Sequence, residues 1–375
     1  MSGGILEKYS LEITTLSPVH IGDGGKLTPL DYLRVDHTIY VVDEDKLFEE
    51  LEGRGLVERF INYVEGSRDV SLEGFARNIG LGIHESLESL MKYPLEVVSR
   101  DVKGKWILTF IRDAEGRAYI PGSEIKGAMR IALMHGILEK YPEKTSQVLE
   151  MLVRGKPDED ALLRPRIGEP HGDLGRLIRP SDSSPINRVC VAQMYRVSTR
   201  LDKQIPLSLV EVIPMDVTAK ASLTLASSER IIGEIGGPVS IQDIVDACMR
   251  RARRIIELEK KRIRRIVQGG SRTPAWASLN KFYDNLLQKL NRCNELETIL
   301  RIGGGQGLYS TTLIPALIDD NNFKKIMGAG ESKAGQRLEE VRRLLSRGRP
   351  YNIKAVEVDG ELMPLGWVRV VFKEA

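Results

Sequence analysis

The sequence predicts an α+β protein built as two domains on one plan. Three observations lead there. A chain of 375 residues with 42% hydrophobic content is longer than one ordinary core requires. Runs that alternate apolar and polar residues, as half-buried strands do, occur near the start, in the middle and near the end (YSLEITT, EVIPMDVTAKASLTLA, IKAVEV). Between them lie stretches with apolar residues at three- and four-residue spacing, which mark amphipathic helices. The same mixture thus appears twice, giving an expected N-terminal domain over 1–208 and a C-terminal domain over 209–375.

In chain order, YSLEITT is a strand that stops at Ser17-Pro18, and the glycine-containing loop VHIGDGGKLTP follows. From about 43 to 93 the segments LFEEL, LVERFINYV and LESLMKY read as a helical insertion. LEVVSRD and KWILTFIRD read as paired strands around a Lys103-Gly104 turn, and AYIPG as a strand end. Ser123 is the expected N-cap of a helix whose apolar stripe is Ile125, Ala128, Met129, Ala132 and Leu133. The Pro-, Gly- and charge-rich stretch at about 156–185 is a long loop with at most one short strand. Two helices, at 240–267 and 278–300, lead to the glycine-rich IGGGQGLYSTT, a further helix and a polar linker at 328–336. An Asp359-Gly360 hairpin turn and a strand in PLGWVRVVF close the chain.

Composition excludes several classes of function. No apolar run approaches the ~18–20 residues of a membrane span, and the start MSGGILEKYS lacks a basic then apolar leader, so the expected location is the cytoplasm, with no membrane partner. Cys190, Cys248 and Cys293 stand far apart, without a CxxC or clustered histidines, so neither a metal nor a disulfide framework is expected. Nothing calls for a cofactor. The net charge of +3 is too small to indicate nucleic acid, but RRARRIIELEKKRIRR at 250–265 is a local cationic surface. With Ala252, Ile255, Ile256, Ile263 and Ile266 on its apolar side, Arg250, Arg254, Lys261 and Arg265 fall in one row that could track a phosphodiester backbone or simply be solvated.

Two further stretches suggest an anion. In YIPGSEIKGAMR, free N–H groups at a helix start would join Lys126 and Arg130, placed i and i+4, in favouring a phosphate; an ordinary capped helix with solvated cations is the plain alternative. In IGGGQG, consecutive glycines let backbone pass close to something, or make a flexible turn. No Gly-Lys-Ser/Thr follows, so this is not a phosphate-cradling P-loop, and no strand–turn–helix context makes it a dinucleotide site. For catalysis the sequence offers little beyond His20 in SPVHIGDG, where a general base could be presented, with Asp23 close by.

Taken together and in this order, LSPVHIGDG, YIPGSEIKGAMR, IGGGQGLYSTT and PLGWVRV resemble the RAMP superfamily of CRISPR-associated proteins; LIRPSDSSPI also looks like a segment of that family. Order and length are most like the two-domain fifth subunit of the type III-A (Csm) effector complex. The resemblance implies two ferredoxin-like (RRM-like) RAMP domains with helical insertions, and a non-catalytic subunit that caps the filament at the 3′ side of the guide and supports its maturation or assembly in antiviral defence. It implies CRISPR RNA contact at His20, Gly22, Ser123, Lys126, Arg130, Gly303, Gly304, Gly305 and Gln306. Its partners would be the 3′ region of CRISPR RNA and a neighbouring RAMP backbone subunit, with the small helical subunit and trimming nucleases as further candidates. The segments at 43–93 and 328–336 match no motif of the family. No RNP1 aromatic set is present and aromatics are only 6% of the chain, so recognition through phosphates and 2′-hydroxyls, indifferent to sequence, is expected. Two rivals remain: a metal-independent endoribonuclease of the same superfamily that processes precursor RNA with His20, and a target-cleaving backbone subunit using Asp23.

Overall fold

The computed structural model describes residues 6–66, 68–79, 90–140, 174–198, 202–226, 240–271, 273–317 and 352–374. In β1 (Leu6–Thr15), Tyr9, Leu11, Ile13 and Thr15 are buried while Ser10 and Glu12 face outward, where Glu12 pairs with Lys373 at 2.6 Å. This period of two is what a strand with one covered face requires. On either side of β1 lie β10 (Thr218–Ala226) and β14 (Trp367–Glu374), with Ile13 opposite both Ala219 and Val370. β7 (Ile178–Pro180) and β11 (Glu297–Arg301) complete an antiparallel sheet of order β11-β14-β1-β10-β7.

Three helices share one core with this sheet: α4 (Gly122–Lys140), α5 (Ile241–Gln268) and α6 (Ala275–Asn291). Ser240 and Asp243 cap the start of α5 reciprocally, which satisfies two orphan backbone donors. Read along the chain, β1, α4, β7, β10, α5 and β14 alternate strand–helix–strand–strand–helix–strand, the ferredoxin-like pattern. The α+β, ferredoxin-like expectation therefore holds.

A second sheet runs in the order β2 (Gly22–Leu27), β6 (Ile107–Phe110), β9 (Lys203–Val212), β8 (Cys190–Ser198), β5 (Met91–Val97), β4 (Thr38–Val42), β3 (Tyr32–Val35). β12 (Ile353–Val358) adds to β8 and forms a hairpin with β13 (Glu361–Pro364). Asp359 and Gly360, at φ 51° and 89°, make the expected turn. Along β8, Cys190, Ala192 and Met194 enter one core and Val191 another, so this strand is covered on both faces. Helices α1 (Glu44–Gly53), α2 (Val57–Gly66) and α3 (Leu72–Asn78) fill part of the expected insertion.

Several expectations need correction. The helical reading of LESLMKY fails over its last three residues, where β5 begins; Leu90 is helical, and 80–89 lie outside the described residues. The hairpin around Lys103-Gly104 is not formed. β5 and β6 are separated by β8 and β9, each pairing with one of them in parallel, and the side-chain oxygen of Gln193 accepts from the Lys103 and Gly104 amides, both at 2.8 Å. The helix expected over 278–300 ends at Asn291 and gives way to β11. The 208/209 boundary falls inside β9, and both sheets draw strands from either side of it. Of the long loop at 156–185, the described part supplies β7; the linker at 328–336 lies outside the described residues.

His135 on α4 is fully buried where α4 packs on α5. Burial, reinforced by the Arg251, Arg254 and Arg250 guanidiniums, pushes it down to about 3. In the unfolded chain it would titrate near ~6.5, so the unfolded state binds a proton that the folded state refuses. Its contribution is whole above that pH and is lost as pH falls from ~6.5 toward the folded value, with a slope of up to ~1.4 kcal/mol per pH unit. His135→Leu is expected to flatten the acid limb of thermal stability measured between about pH 7 and pH 4; an unchanged limb would show that other groups carry it.

Candidate functional site

The four sequence stretches of the resemblance meet in space. After β1 the chain turns along the start of β14: Leu16 N donates to Trp367 O (2.8 Å), Trp367 N to Ser17 Oγ (3.0 Å), and Gly366 N to Pro18 O (2.9 Å). Ile302 N donates to Gly366 O (2.8 Å), and Gly304 N to His20 O (2.7 Å). Gly303 N then donates to Glu124 Oε2 (2.8 Å), in the first turn of α4. LSPVHIGDG, PLGWVRV, IGGGQG and YIPGSEIKGAMR are thus one continuous hydrogen-bonded surface.

The glycines make this approach possible. A Cβ on Gly303 (φ 76°) would stand 2.3 Å from His20 O, and one on Gly366 (φ 94°) 2.2 Å from Ile302 O; both positions also demand left-handed backbone, which L side chains resist. Gly305 (φ 77°) is pressed on Leu365. Close backbone approach was expected here, but what Gly303 and Gly305 approach is the protein itself. Gly304 is looser, with His20 Cδ2 at 3.3 Å from the position of a Cβ, and Gln306 folds back to donate from Nε2 to Gly303 O (2.7 Å).

His20 is not an exposed base. Its Nδ1 lies 2.8 Å from the Glu211 carbonyl, which can only accept, so Nδ1 carries the proton and Nε2, beside Gly22, is left as an acceptor. Burial holds its pKa below the usual histidine value, and the imidazole is neutral at pH 7. Asp23 Oδ1 accepts from Gly25 N (2.8 Å) and Thr109 Oγ1 (2.5 Å), and so shapes its own turn.

Ser123 is not the N-cap. The helix begins at Gly122, whose amide donates to Asp182 Oδ1 (2.7 Å), because Pro180 and Ser181 lie against Gly122 with no room for a side chain. One donor of the helix start is therefore already matched by an internal carboxylate. Ser123 is exposed, and Lys126 and Arg130 are half-buried on the same helix.

The row on α5 divides. Arg250 pairs with Glu139 (3.4 Å) and Arg254 Nε donates to Pro315 O (3.0 Å), so both serve protein contacts. Lys261 and Arg265 are exposed, and with Lys260, Arg264 and Gln268 they line a concavity of about 550 Å³. Lys260 is paired with Asp284 at 2.5 Å.

Sequence reasoning missed two sets of buried charges. Arg251 Nη2 reaches the carbonyls of Tyr309, Ser310 and Thr312 (3.2, 2.8 and 3.0 Å), which fixes α5 to the segment after the glycine loop. Arg301 donates to Leu365 O (2.9 Å) and Ser310 Oγ (3.2 Å). Glu211, fully buried, accepts from Phe110 N (2.8 Å), Arg112 Nη2 (3.0 Å) and Tyr93 OH (3.3 Å) while its carbonyl holds His20. Burial raises Tyr93 to about 12, so its hydroxyl remains a donor. The only sequence signal was a carboxylate inside an apolar run, LVEV. Among the described residues no group of three His, Cys, Asp or Glu could hold a metal, and burial raises Cys190 to about 11 and Cys248 to about 12, which keeps both as thiols.

A family described as the RAMP superfamily matches residues 12–310, more than half of the chain and most of the surface just described. The chain belongs to the RAMP superfamily. Among curated relatives of this RAMP protein, the "CRISPR system Cms protein Csm5" of Streptococcus thermophilus is 27% identical over 248 residues, covering 61% of this chain and 67% of the relative. The protein of the same name from Methanocaldococcus jannaschii is 21% identical over an alignment of 402 positions, covering 99% and 90%. In solved structures, a chain of a Csm–crRNA–target RNA ternary complex of a type III-A CRISPR-Cas system superposes with TM-score 0.68 at 20% identity, over 98% of this chain and 100% of that one. A crystal structure of T. onnurineus Csm5 gives 0.64 at 22%, over 96% and 99%. These likenesses show the shared fold.

Gly303→Ala is expected to cost more than ~1 kcal/mol, because it meets both a backbone oxygen and a disfavoured φ, whereas Gly304→Ala should cost little. Urea denaturation of the two variants checks this; equal midpoints would mean the loop is free to move away from His20.

Proposed function

We propose that this RAMP protein is a non-catalytic, CRISPR RNA-binding subunit of a type III-A Csm effector complex, seated at the 3′ side of the guide. The observation that carries the reading is the convergence of the His20 loop, the start of α4 and the glycine loop on one surface that presents the exposed Ser123 beside Lys126 and Arg130. Hydroxyl, amide and cationic donors favour phosphates and 2′-hydroxyls. With few aromatics to stack bases, such a surface suits a guide of variable sequence. The fold likeness to a chain in a Csm–crRNA–target RNA assembly and the names of the curated relatives support the assignment to that complex. In this reading His20, Gly22, Gly303, Gly304, Gly305 and Gln306 shape the backbone that meets RNA, while Ser123, Lys126 and Arg130 touch it. Lys261 and Arg265 extend the contact. A neighbouring RAMP backbone subunit is the docking partner, with the small helical subunit and trimming nucleases as further ones, and the cytoplasm as the place of action.

The nuclease reading is supported less well. His20 has one nitrogen committed to a carbonyl, little exposure, and no acid–base partner among the described residues; Asp23 is occupied by Thr109 and Gly25.

Two measurements test the proposal. Lys261→Ala with Arg265→Ala should weaken binding of single-stranded RNA of any sequence and lower the salt slope by about 0.7 per lost phosphate contact, whereas Arg250→Ala with Arg254→Ala, whose side chains serve Glu139 and Pro315, should change it less. An unaltered slope in the first pair would assign that face to solvent or protein. Second, purified protein incubated with repeat-containing precursor RNA in chelator should leave it intact; cleavage that vanishes in His20→Ala would overturn the non-catalytic assignment.

A further inference from the structure

Beside α6, on the side away from the basic concavity, runs a groove that the RNA-binding reading leaves unused. Its volume is about 330 Å³, at the lower end of the ~300–1,000 Å³ typical of ligand pockets. The floor is apolar: Met215, Phe282 and Met363 are half-exposed over the buried Leu362. Methionine at an open surface is adaptable and receives apolar side chains of varied shape. At one end Ser278 Oγ donates to Glu361 Oε2 (2.5 Å), joining α6 to the β13 hairpin and closing the groove. The rim carries Lys281, Lys289 and Arg292, all exposed, and no carboxylate pairs with any of them among the described residues. The negative end of the α6 dipole favours Lys289 and Arg292 near its C-terminus, but Lys281 lies two turns earlier and draws nothing from it. Asp284, the acidic residue of α6, is turned to Lys260 on the other side.

We propose that this groove docks a short acidic, amphipathic segment of a partner protein, with apolar side chains on the methionine floor and carboxylates on the three cations. An apolar floor whose rim carries three exposed cations against the one carboxylate of Glu361, held by Ser278, calls for an occupant of the same polarity pattern and the opposite charge. Nucleic acid fits less well, since its phosphates would match the rim but its polar base edges would be buried on hydrocarbon without hydrogen-bond partners. The inference goes beyond the proposed function and does not rest on it.

The test uses the purified full chain and a fluorescein-labelled dodecapeptide with Leu, Leu, Phe, Met and Leu on one helical face and Asp or Glu elsewhere, followed by fluorescence anisotropy. The peptide is expected to bind. Two control peptides, one with Ser at the apolar positions and one with Lys at the acidic ones, are each expected to bind about tenfold less tightly or worse. Lys281→Glu with Lys289→Glu, both at exposed positions, should weaken the acidic peptide about tenfold and leave the melting temperature and RNA affinity unchanged; Met363→Trp, which fills the floor, should do the same. Equal binding of the Ser control, or no effect of either variant, would overturn the proposal. Displacement of the peptide by an oligouridylate of equal length would make the groove a nucleic-acid site, and a dimer in sedimentation that Lys281→Glu with Lys289→Glu dissolves would assign it to a second copy of this chain; each overturns it too. Because RNA affinity is read separately, failure here leaves the RNA-binding reading standing, and the reverse.

Discussion

Gly366 gives its amide to Pro18 and takes the amide of Ile302 on its carbonyl, while Gly304 gives its own to His20. This seam of main-chain bonds ties together residues 18–20, 302–304 and 366, at a spacing that leaves no room for a Cβ on Gly303 or Gly366. The rest of the site depends on it. With the glycine loop held on the His20 loop, Gly303 can present its amide to Glu124, which seats the first turn of α4. Ser123, Lys126 and Arg130 owe their common placement to that seat. Backbone groups buried in such a seam must all find partners, so a shift at any one strand end would leave several unpaired.

Around the seam the interior is unusually ionic. Arg251, Arg301 and Arg262 are almost wholly buried, as are Glu211 and Glu259. Removing a charge from water costs several kcal/mol, and breaking a buried pair by deleting one partner costs ~3–5 kcal/mol. Arg251 is met by carbonyls of the short helix Leu308–Thr311 and of Thr312 just after it, which have no following turn to bond to, and Arg301 by the loop carbonyl of Leu365. They therefore act as interior caps for the segment that follows the glycine loop. Glu211 does the same on the other sheet, filling its oxygens with an amide, a guanidinium and a phenol while its own carbonyl orients His20. The tautomer of the one histidine in the site is thus set by a residue outside every recognisable motif.

Local pattern made some of this legible. The period-two burial of β1, the stripe on α4, the hairpin at Asp359-Gly360 and the last strand follow from residue spacing and turn chemistry, and the structure keeps them. The failures are non-local. Residues 91–93 read as the end of a helix because Leu90 and Tyr93 have helical spacing, yet pairing with β4 makes them the start of a strand. Lys103-Gly104 has the look of a hairpin turn, but Gln193 takes both amides from a distant strand. The convergence of four motifs was not readable from any of them, since each is an ordinary loop or helix start alone. Likewise the row on α5 was correct as geometry, while the division of its members between Glu139, Pro315 and open solvent depends on neighbours that no periodicity reveals.

In the first sheet, β1, formed from residues 6–15, finds its place only between β10 and β14, and β14 spans residues 367–374. A nascent chain emerging from the ribosome can therefore cover one edge of β1 once β10 (residues 218–226) is made, but holds the other edge bare until residues 367–374 follow. Loop closure over that span must come before the contacts that reward it, so the β1–β14 pairing waits for residues 367–374 even where β1 and β10 have already met. Unpaired apolar strand edges in that interval invite association with other chains. On this topology the hazard for the cell lies in the interval before residues 367–374 have emerged, when a helper on the bare edge of β1 would stand in for β14.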